Sequence, residues 1–206
     1  MIIFGTGGHA REVLEVLLQT GITKPKFFDD ITVDLPSKLL GEYDIITDFN
    51  SLQKYLDTNP DFVVAVGNPR NRDKLIKKGQ KAGGRLNSII SPHALIGQHG
   101  ICLGQGLNIM PFVQIITGAE IGDGTLLNEA CSIHHDTTIG RCCEIGAGAR
   151  VGDTNIGDFC FVGTNAVVPS VNLGNNVTVG AGAIVLENVP DNTVVAGVPA
   201  KIVKRK

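Results

Sequence analysis

Between Leu103 and Val189 the chain repeats itself every six residues. An aliphatic residue followed by glycine recurs at Ile121-Gly122, Ile139-Gly140, Ile145-Gly146, Val151-Gly152, Ile156-Gly157, Val162-Gly163, Leu173-Gly174 and Val179-Gly180. Less perfect copies start at Leu103, Ile109, Ile115, Leu127, Ile133, Val168 and Val185. Four residues past each aliphatic stands something small or β-branched, such as Ala119, Thr125, Cys131, Cys143, Ala149, Cys160 and Ala166. A period of six matches neither the helical 3.6 nor a lone alternating strand. It is the mark of a solenoid of short stacked strands, a parallel β-helix. The aliphatic points inward, the small residue fills the corner, and the glycine is expected to allow the tight turn between flat faces. Each coil buries little alone, so stability must come from stacking. The rhythm slips by one residue from Val151 to Ile156 and from Val168 to Leu173, and such slips accompany bulges or altered turns beside sites.

The remainder reads as α/β. Met1 to Phe4 is a buried strand. Gly5-Thr6-Gly7-Gly8-His9-Ala10 fits G-x-G-x-x-A and opens a helix with Ala10, Val13, Leu14 and Leu17 on one face. Lys26 to Asp30 is a second strand ending in two acids, and Tyr43 to Ile46 a third. A helix around Ser51–Leu56 precedes a strand over Asp61–Val66. Asn68 caps a further helix with Pro69 at its first position, and Gly83-Gly84 marks a domain junction. Strand–helix alternation predicts a small parallel sheet with Rossmann-like winding over residues 1–84, followed by the β-helix over residues 85–206. The glycine turn and the acid pair some twenty residues on mimic a dinucleotide fingerprint. The unit is half of a dinucleotide domain, which suits a mononucleotide. The alternative is a tight turn that binds nothing.

Composition sets limits. Of 206 residues, 26 are glycine and only 5% aromatic, as a narrow, turn-rich prism needs. A net charge of -2 excludes a nucleic-acid binder that relies on bulk positive charge. No apolar run is long enough for a membrane span, and no basic segment precedes the first apolar residues. Five cysteines do not make a disulfide framework. Cys131, Cys143 and Cys160 fall at the small inward position, as buried free thiols, and a reducing cytoplasm is the matching compartment.

The repeats resemble the hexapeptide-repeat acyltransferases, in which three hexads make one coil of a left-handed β-helix. The whole chain is similar to the nucleotide-sugar N-acetyltransferases related to bacillosamine-pathway enzymes, with the sialic acid O-acetyltransferases as near relatives. Gly5-Thr6-Gly7-Gly8-His9, Phe28-Asp29-Asp30, Val66-Gly67-Asn68 and Ile133-His134-His135-Asp136 carry the resemblance. It implies acetyl-CoA as co-substrate and a nucleotide-linked 4-amino-dideoxy sugar, UDP- or dTDP-activated, as acceptor. It assigns Gly7, Gly8, His9, Asp29, Asp30 and Gly67 to the nucleotide sugar, His135 to the general base and Asp136 to its supporting acid. Glu144, Thr164 and Gly182 match cofactor positions, although some relatives carry histidine where Glu144 stands. The resemblance also implies a homotrimer with the cofactor between neighbours.

The chemistry agrees with those residue types. Acyl transfer from a thioester to an amine needs a base with a pKa near neutrality, for which histidine is best suited. It needs a donor for the developing oxyanion and no covalent nucleophile. His135 and Asp136 fall at a turn and point outward, and Asn128, one rung below, is a candidate to orient the amine or the histidine. The competing readings are O-acetylation of a sialic acid or related sugar, a zinc-dependent hydratase, and a non-catalytic nucleotide-binding scaffold. A zinc set needs three converging histidines, and the regular coils hold only His134 and His135.

Overall fold

A computed structural model describes residues 1–206. The N-terminal part is a sheet in the order β3-β4-β2-β1-β5-β6, with strands β1 (Ile2–Phe4), β2 (Lys26–Phe28), β3 (Lys38–Leu39), β4 (Tyr43–Ile46), β5 (Asp61–Val64) and β6 (Arg85–Leu86). All neighbours pair in parallel except β3 and β4. The helices are α1 (Gly8–Gln19), α2 (Phe49–Leu56) and α3 (Pro69–Lys81). Every residue of β1 is buried, as a central parallel strand covered on both faces requires. Asn68 caps α3 through its side-chain oxygen, which accepts from the Asn71 N–H at 3.1 Å. The expected junction at Gly83-Gly84 falls too early. Arg85 pairs with Asp61 and Leu86 with Phe62, so the first sheet continues through Leu86.

The chain leaves β1 toward β2 on one side and later returns to β5 on the other. The turns after β1 and β5 therefore meet at the reversal of strand order, where ligands of open α/β sheets bind.

From Ile89 onward short strands stack into three flat faces of a left-handed parallel β-helix. The first face runs from Ile89–Ile90 up to Thr193–Gly197, the second from Leu95–Ile96 to Val167–Pro169, and the third from Cys102–Leu103 to Asn155–Ile156. Inward aliphatics such as Ile109, Ile133, Ile145, Val162 and Val179 are fully buried, each worth about 1.5–3 kcal/mol relative to exposure. A final antiparallel strand, Ala200–Arg205, folds back on Thr193–Gly197 and closes the first face.

The repeat's glycines do a different job from the one expected. The left-handed backbone at the corners falls two residues later, at Gly124, Cys142, Gly148, Phe159, Asn165, Asn176 and Gly182. Gly122, Gly146 and Gly163 are instead where consecutive coils touch. A Cβ there would lie 2.5–2.7 Å from the backbone nitrogen of Arg141, Thr164 or Ala181 in the next coil.

The buried thiols are more than small apolar fillers. At the third-to-first corner, the Thr125 hydroxyl donates to Gly140 O at 2.9 Å and accepts from the Cys143 N–H at 3.0 Å. The Cys143 thiol repeats this toward Gly157 O and from the Cys160 N–H, and the Cys160 thiol toward Gly174 O and from the Val177 N–H. One polar column thus ties four coils together.

The slips are local. Paired first-face strands are eighteen residues apart at Leu126↔Glu144, seventeen at Glu144↔Phe161 and sixteen at Thr178↔Val194. All of the shortening falls at the second-to-third corner. Ile133 to Ile139 is six residues there, Val151 to Ile156 five, and Val185 to Val189 four. The prism recedes along one edge, coil by coil.

Candidate active site

His135 and Asp136 occupy that receding edge, on the last coil whose turn has full length. The next coil draws back, so His135 stands on a ledge. Beside it is a recess of about 340 Å³ lined by His134, His135, Arg150, Gly152, Asp153, Val167, Pro169 and Ser170, among others. The Asp136 carboxylate lies 3.0 Å from His135 Nδ1, and both side chains are exposed, at 61% and 76%. If Nδ1 carries the proton and donates to Asp136, Nε2 is left as a free acceptor aimed away from the carboxylate. Asp136 has φ +53°, a left-handed conformation that aspartate tolerates. The Asp153 N–H donates to His135 O at 3.0 Å and fixes the ledge to the coil above. His134 turns toward Ser132, with Nε2 3.2 Å from Oγ. Gly152 lies on it so closely that a Cβ would sit 2.9 Å from the His134 Cβ.

A second cavity, about 510 Å³, opens at the carboxyl end of the first sheet. Gly5, Phe28, Asp29, Asp30, Ile31, Thr32, Val66, Asn71, Lys74 and Lys78 line it. The Asp29 carboxylate accepts from Thr6 Oγ1 (2.6 Å), Thr32 Oγ1 (2.8 Å) and the N–H groups of Thr32 and Ile31. Burial pulls its carboxyl upward, but these hydrogen bonds outweigh that and hold it below the usual value. Asp30 pairs with Lys78 at 2.6 Å, and Lys78 also lies over the Phe28 ring. Gly7 and Gly8 are exposed at the start of α1, and a Cβ at either would meet nothing within 4 Å. Neither lines the cavity; of the first turn only Gly5 does. His9 faces the β-helix, with Nε2 3.1 Å from Asn108 Nδ2 and Nδ1 3.0 Å from Glu12. Burial pushes its pKa down, with Glu12 opposing.

Where the two parts meet, Arg72 of α3 is completely buried. Nε donates to Gly124 O at 2.6 Å, Nη1 to Val66 O (2.7 Å) and Gly67 O (2.6 Å), and Nη2 to Cys143 O at 2.6 Å and more weakly to Cys142 O. Glu144 stands beside it on the first face. A Cβ on Gly67 would lie 3.4 Å from Glu144 Oε2, and Asn128 Nδ2 donates to Oε1 at 3.3 Å. Burial raises the Glu144 pKa, opposed by the Arg72 charge and by Asn128. Glu144 and Gly67 line a groove of about 360 Å³ together with Asn68, Arg70, Phe159, Phe161, Asn176, Thr178 and Lys206.

Thr164 and Gly182 are exposed at the first-to-second corner of successive coils, joined by the Gly182 N–H donating to Thr164 O at 2.8 Å. Within one chain the expected residues other than Asp29, Asp30 and those at the start of α1 fall into two groups. Gly67, Asn128 and Glu144 gather under the N-terminal sheet, near the corner of Thr164 and Gly182. His135 and Asp136 lie one corner further on, across the second face. Arg72 and Asn108 escaped the sequence reading. The one hint was an arginine in the first turns of a helix capped by Asn68-Pro69.

Short parallel strands stacked by hexads into three faces are the architecture of the hexapeptide-repeat acyltransferases. Residues 1–78 match the family described as PglD N-terminal domain. Residues 118–153 match bacterial transferase hexapeptide (six repeats), and residues 153–187 the hexapeptide repeat of succinyl-transferase. Perosamine N-acetyltransferase from Caulobacter crescentus, solved with CoA and GDP-perosamine, is 30% identical over 98% of this chain and 96% of that one, with a TM-score of 0.89. The acetyltransferase domain of PglB from Neisseria gonorrhoeae, solved with acetyl coenzyme A, is 30% identical over 98% of both chains, with a TM-score of 0.87. WeeI from Acinetobacter baumannii is 25% identical over 98% of both, with a TM-score of 0.87. The chain belongs to the nucleotide-sugar N-acetyltransferases built on a PglD-type domain and a hexapeptide β-helix. No helix is long and apolar enough to cross a membrane.

Proposed function

We propose that the chain transfers the acetyl group of acetyl-CoA to the amine of a 4-amino-dideoxy sugar linked to a nucleoside diphosphate, for surface polysaccharide or glycan synthesis. The observation that carries this reading is the His135–Asp136 pair on its ledge. His135 Nε2 takes the proton from the amine as its nitrogen bonds to the thioester carbon. Asp136 holds the ring in that tautomer and stabilises the imidazolium that forms. Collapse of the tetrahedral intermediate breaks the C–S bond, the imidazolium returns its proton to the sulfur, and CoA leaves as the thiol.

The cavity of Asp29 and Asp30 is the nucleoside subsite in this reading. UDP and dTDP are the activating nucleotides expected from the sequence, and the GDP-perosamine held by the Caulobacter enzyme adds GDP to those to be tested. Thr164 and Gly182 flank the cofactor. The separation of His135 from its own chain's groove supports a closed homotrimer, in which each copy presents its histidine to the groove of a neighbour. The exposed apolar residues Leu95, Phe112 and Ile116 around the second face support the same assembly.

The test is thiol release from acetyl-CoA with UDP-, dTDP- and GDP-linked 4-amino-dideoxy sugars, against sialic acid as a hydroxyl acceptor. Turnover on an amino sugar upholds the reading. Turnover on the hydroxyl acceptor alone would replace it with O-acetylation.

A further inference from the structure

We propose that Glu144 recognises the acceptor's amine, capturing it as an ammonium ion in the groove between the two domains; the ion gives one proton to water to become the neutral nucleophile, and His135 takes the second as the amine attacks. The proposal rests on the N-acetyltransferase reading and gives this residue a role apart from the cofactor.

Glu144 is short of partners. Its single hydrogen bond comes from Asn128, a neutral amide, at 3.3 Å. Arg72, the nearest cation, contributes its field but no hydrogen bond, because its donors are committed to backbone carbonyls on both sides of the domain boundary. A largely buried carboxylate with one neutral donor is costly unless something else donates to it. Glu144 lines the groove, and a cationic N–H donor entering there would form a charge-assisted bond with its carboxylate.

The groove carries both signs of charge. Glu144 and Lys206 both line it, with Lys206 held on Asn176 two coils beyond Glu144, and Arg70 lines it as well. Arg70 lies over the Phe159 ring at 5.2 Å, and the Lys206 ammonium donates to Asn176 O at 2.9 Å. A matching ligand carries a cation on one side and an anion on the other. An amino sugar esterified to phosphate has that form, whereas the pantetheine arm and thioester of acetyl-CoA carry no cation.

The two cavities also share a wall. Val66 and Asn71 line the nucleoside cavity, and the residues between them, Gly67 to Arg70, line the groove. A nucleoside in the first and a sugar in the second would be joined by a diphosphate crossing the positive end of α3.

The experiment compares wild type with the isosteric Glu144→Gln. KM is measured for an amino sugar that wild type acetylates and for acetyl-CoA, with Ki for the free nucleoside diphosphate and a melting curve to show an intact fold. The proposal expects the amino-sugar KM to rise about 10- to 100-fold, as loss of one charged hydrogen bond implies, with the acetyl-CoA KM and nucleotide Ki within about twofold. Glu144→Asp should recover part of the loss. An unchanged amino-sugar KM, or a rise in the acetyl-CoA KM alone, would overturn it. Absence of wild-type turnover on every amino sugar would overturn the reading beneath it as well.

Discussion

Arg72 Nη2, on the N-terminal domain, donates to the carbonyl oxygen of Cys143 on the β-helix at 2.6 Å. The same guanidinium holds Gly124 O on the β-helix and Val66 O and Gly67 O on its own domain. Arg72→Met fills the volume without donors and leaves these buried carbonyls unpaired. We expect it to destabilise the protein by about 3 kcal/mol or more, read as a lower urea midpoint. Arg72→Lys should recover little, because a point-like ammonium cannot span both sides as the planar fork does. A methionine variant as stable as wild type would refute this role.

His135→Ala should lower kcat by about 100-fold or more, as loss of a general base does, with the melting curve unchanged because the side chain is exposed. Asp136→Asn should lower it less, since the base remains. Retention of more than half the wild-type rate in His135→Ala would remove the histidine from the mechanism.

Sharing of the site between copies can be tested by mixing. His135→Ala abolishes the base, and Asp30→Arg fills the nucleoside cavity. Co-expressed, the two inactive chains should regain activity, because some interfaces unite an intact cavity with an intact histidine. Mixed assemblies with no more activity than their separate parents would mean that each copy works alone.

Cys102 is exposed and the other four thiols are buried, with the Cys131 thiol pushed up to about 12 by burial. Ellman's reagent should therefore label one thiol in the native protein and all five after unfolding. Cys143→Ser keeps a donor and acceptor in the polar column. Cys143→Val removes both and should cost about 1–3 kcal/mol for the stranded Gly157 carbonyl and Cys160 N–H. Equal stability of the two variants would show that the column contributes nothing.

Asp29 gives a pH dependence of definite sign. Its carboxyl titrates below the usual aspartate value in the fold, so its contribution is fully present above that value and is lost as pH falls through the folded one. Wild type should exceed Asp29→Asn in stability at pH 7, and the gap should close below about pH 4. A gap that widens on acidification would contradict the hydrogen-bond assignment.

The β-helix was legible because its geometry imposes one rule on every coil; the slips at Val151 and Val168 were legible as altered turns, but not that they fall on the edge where His135 stands. The glycines were legible as a pattern but not as a cause. Their spacing cannot distinguish a turn from a close approach, and only the stacked coils reveal that Gly122 and Gly146 lie against the next backbone. Arg72 was invisible because α3 is strongly polar and reads as a solvated helix; its partners on the β-helix are carbonyls more than fifty residues away. The thiol column was half legible, since burial follows from the repeat position and hydrogen bonding does not. The resemblance implied a cofactor between neighbouring copies, but not which residues lie on different sides of the prism. His135 and Glu144 are nine residues apart in sequence, yet the prism turns a corner between them.

Because residues are dropped from one edge alone, the other two corners keep their spacing and the first face keeps its parallel ladder throughout, while the second and third faces fall to single bridges above Val167 and Ile156. A stack of this kind can therefore be carved while its first face stays continuous. Deletion at a single vertex terraces the wall, and whichever side chain stands on the step gains access to solvent. The location of chemistry along such a rod is thus a matter of subtraction, free of the demands that hold its interior together.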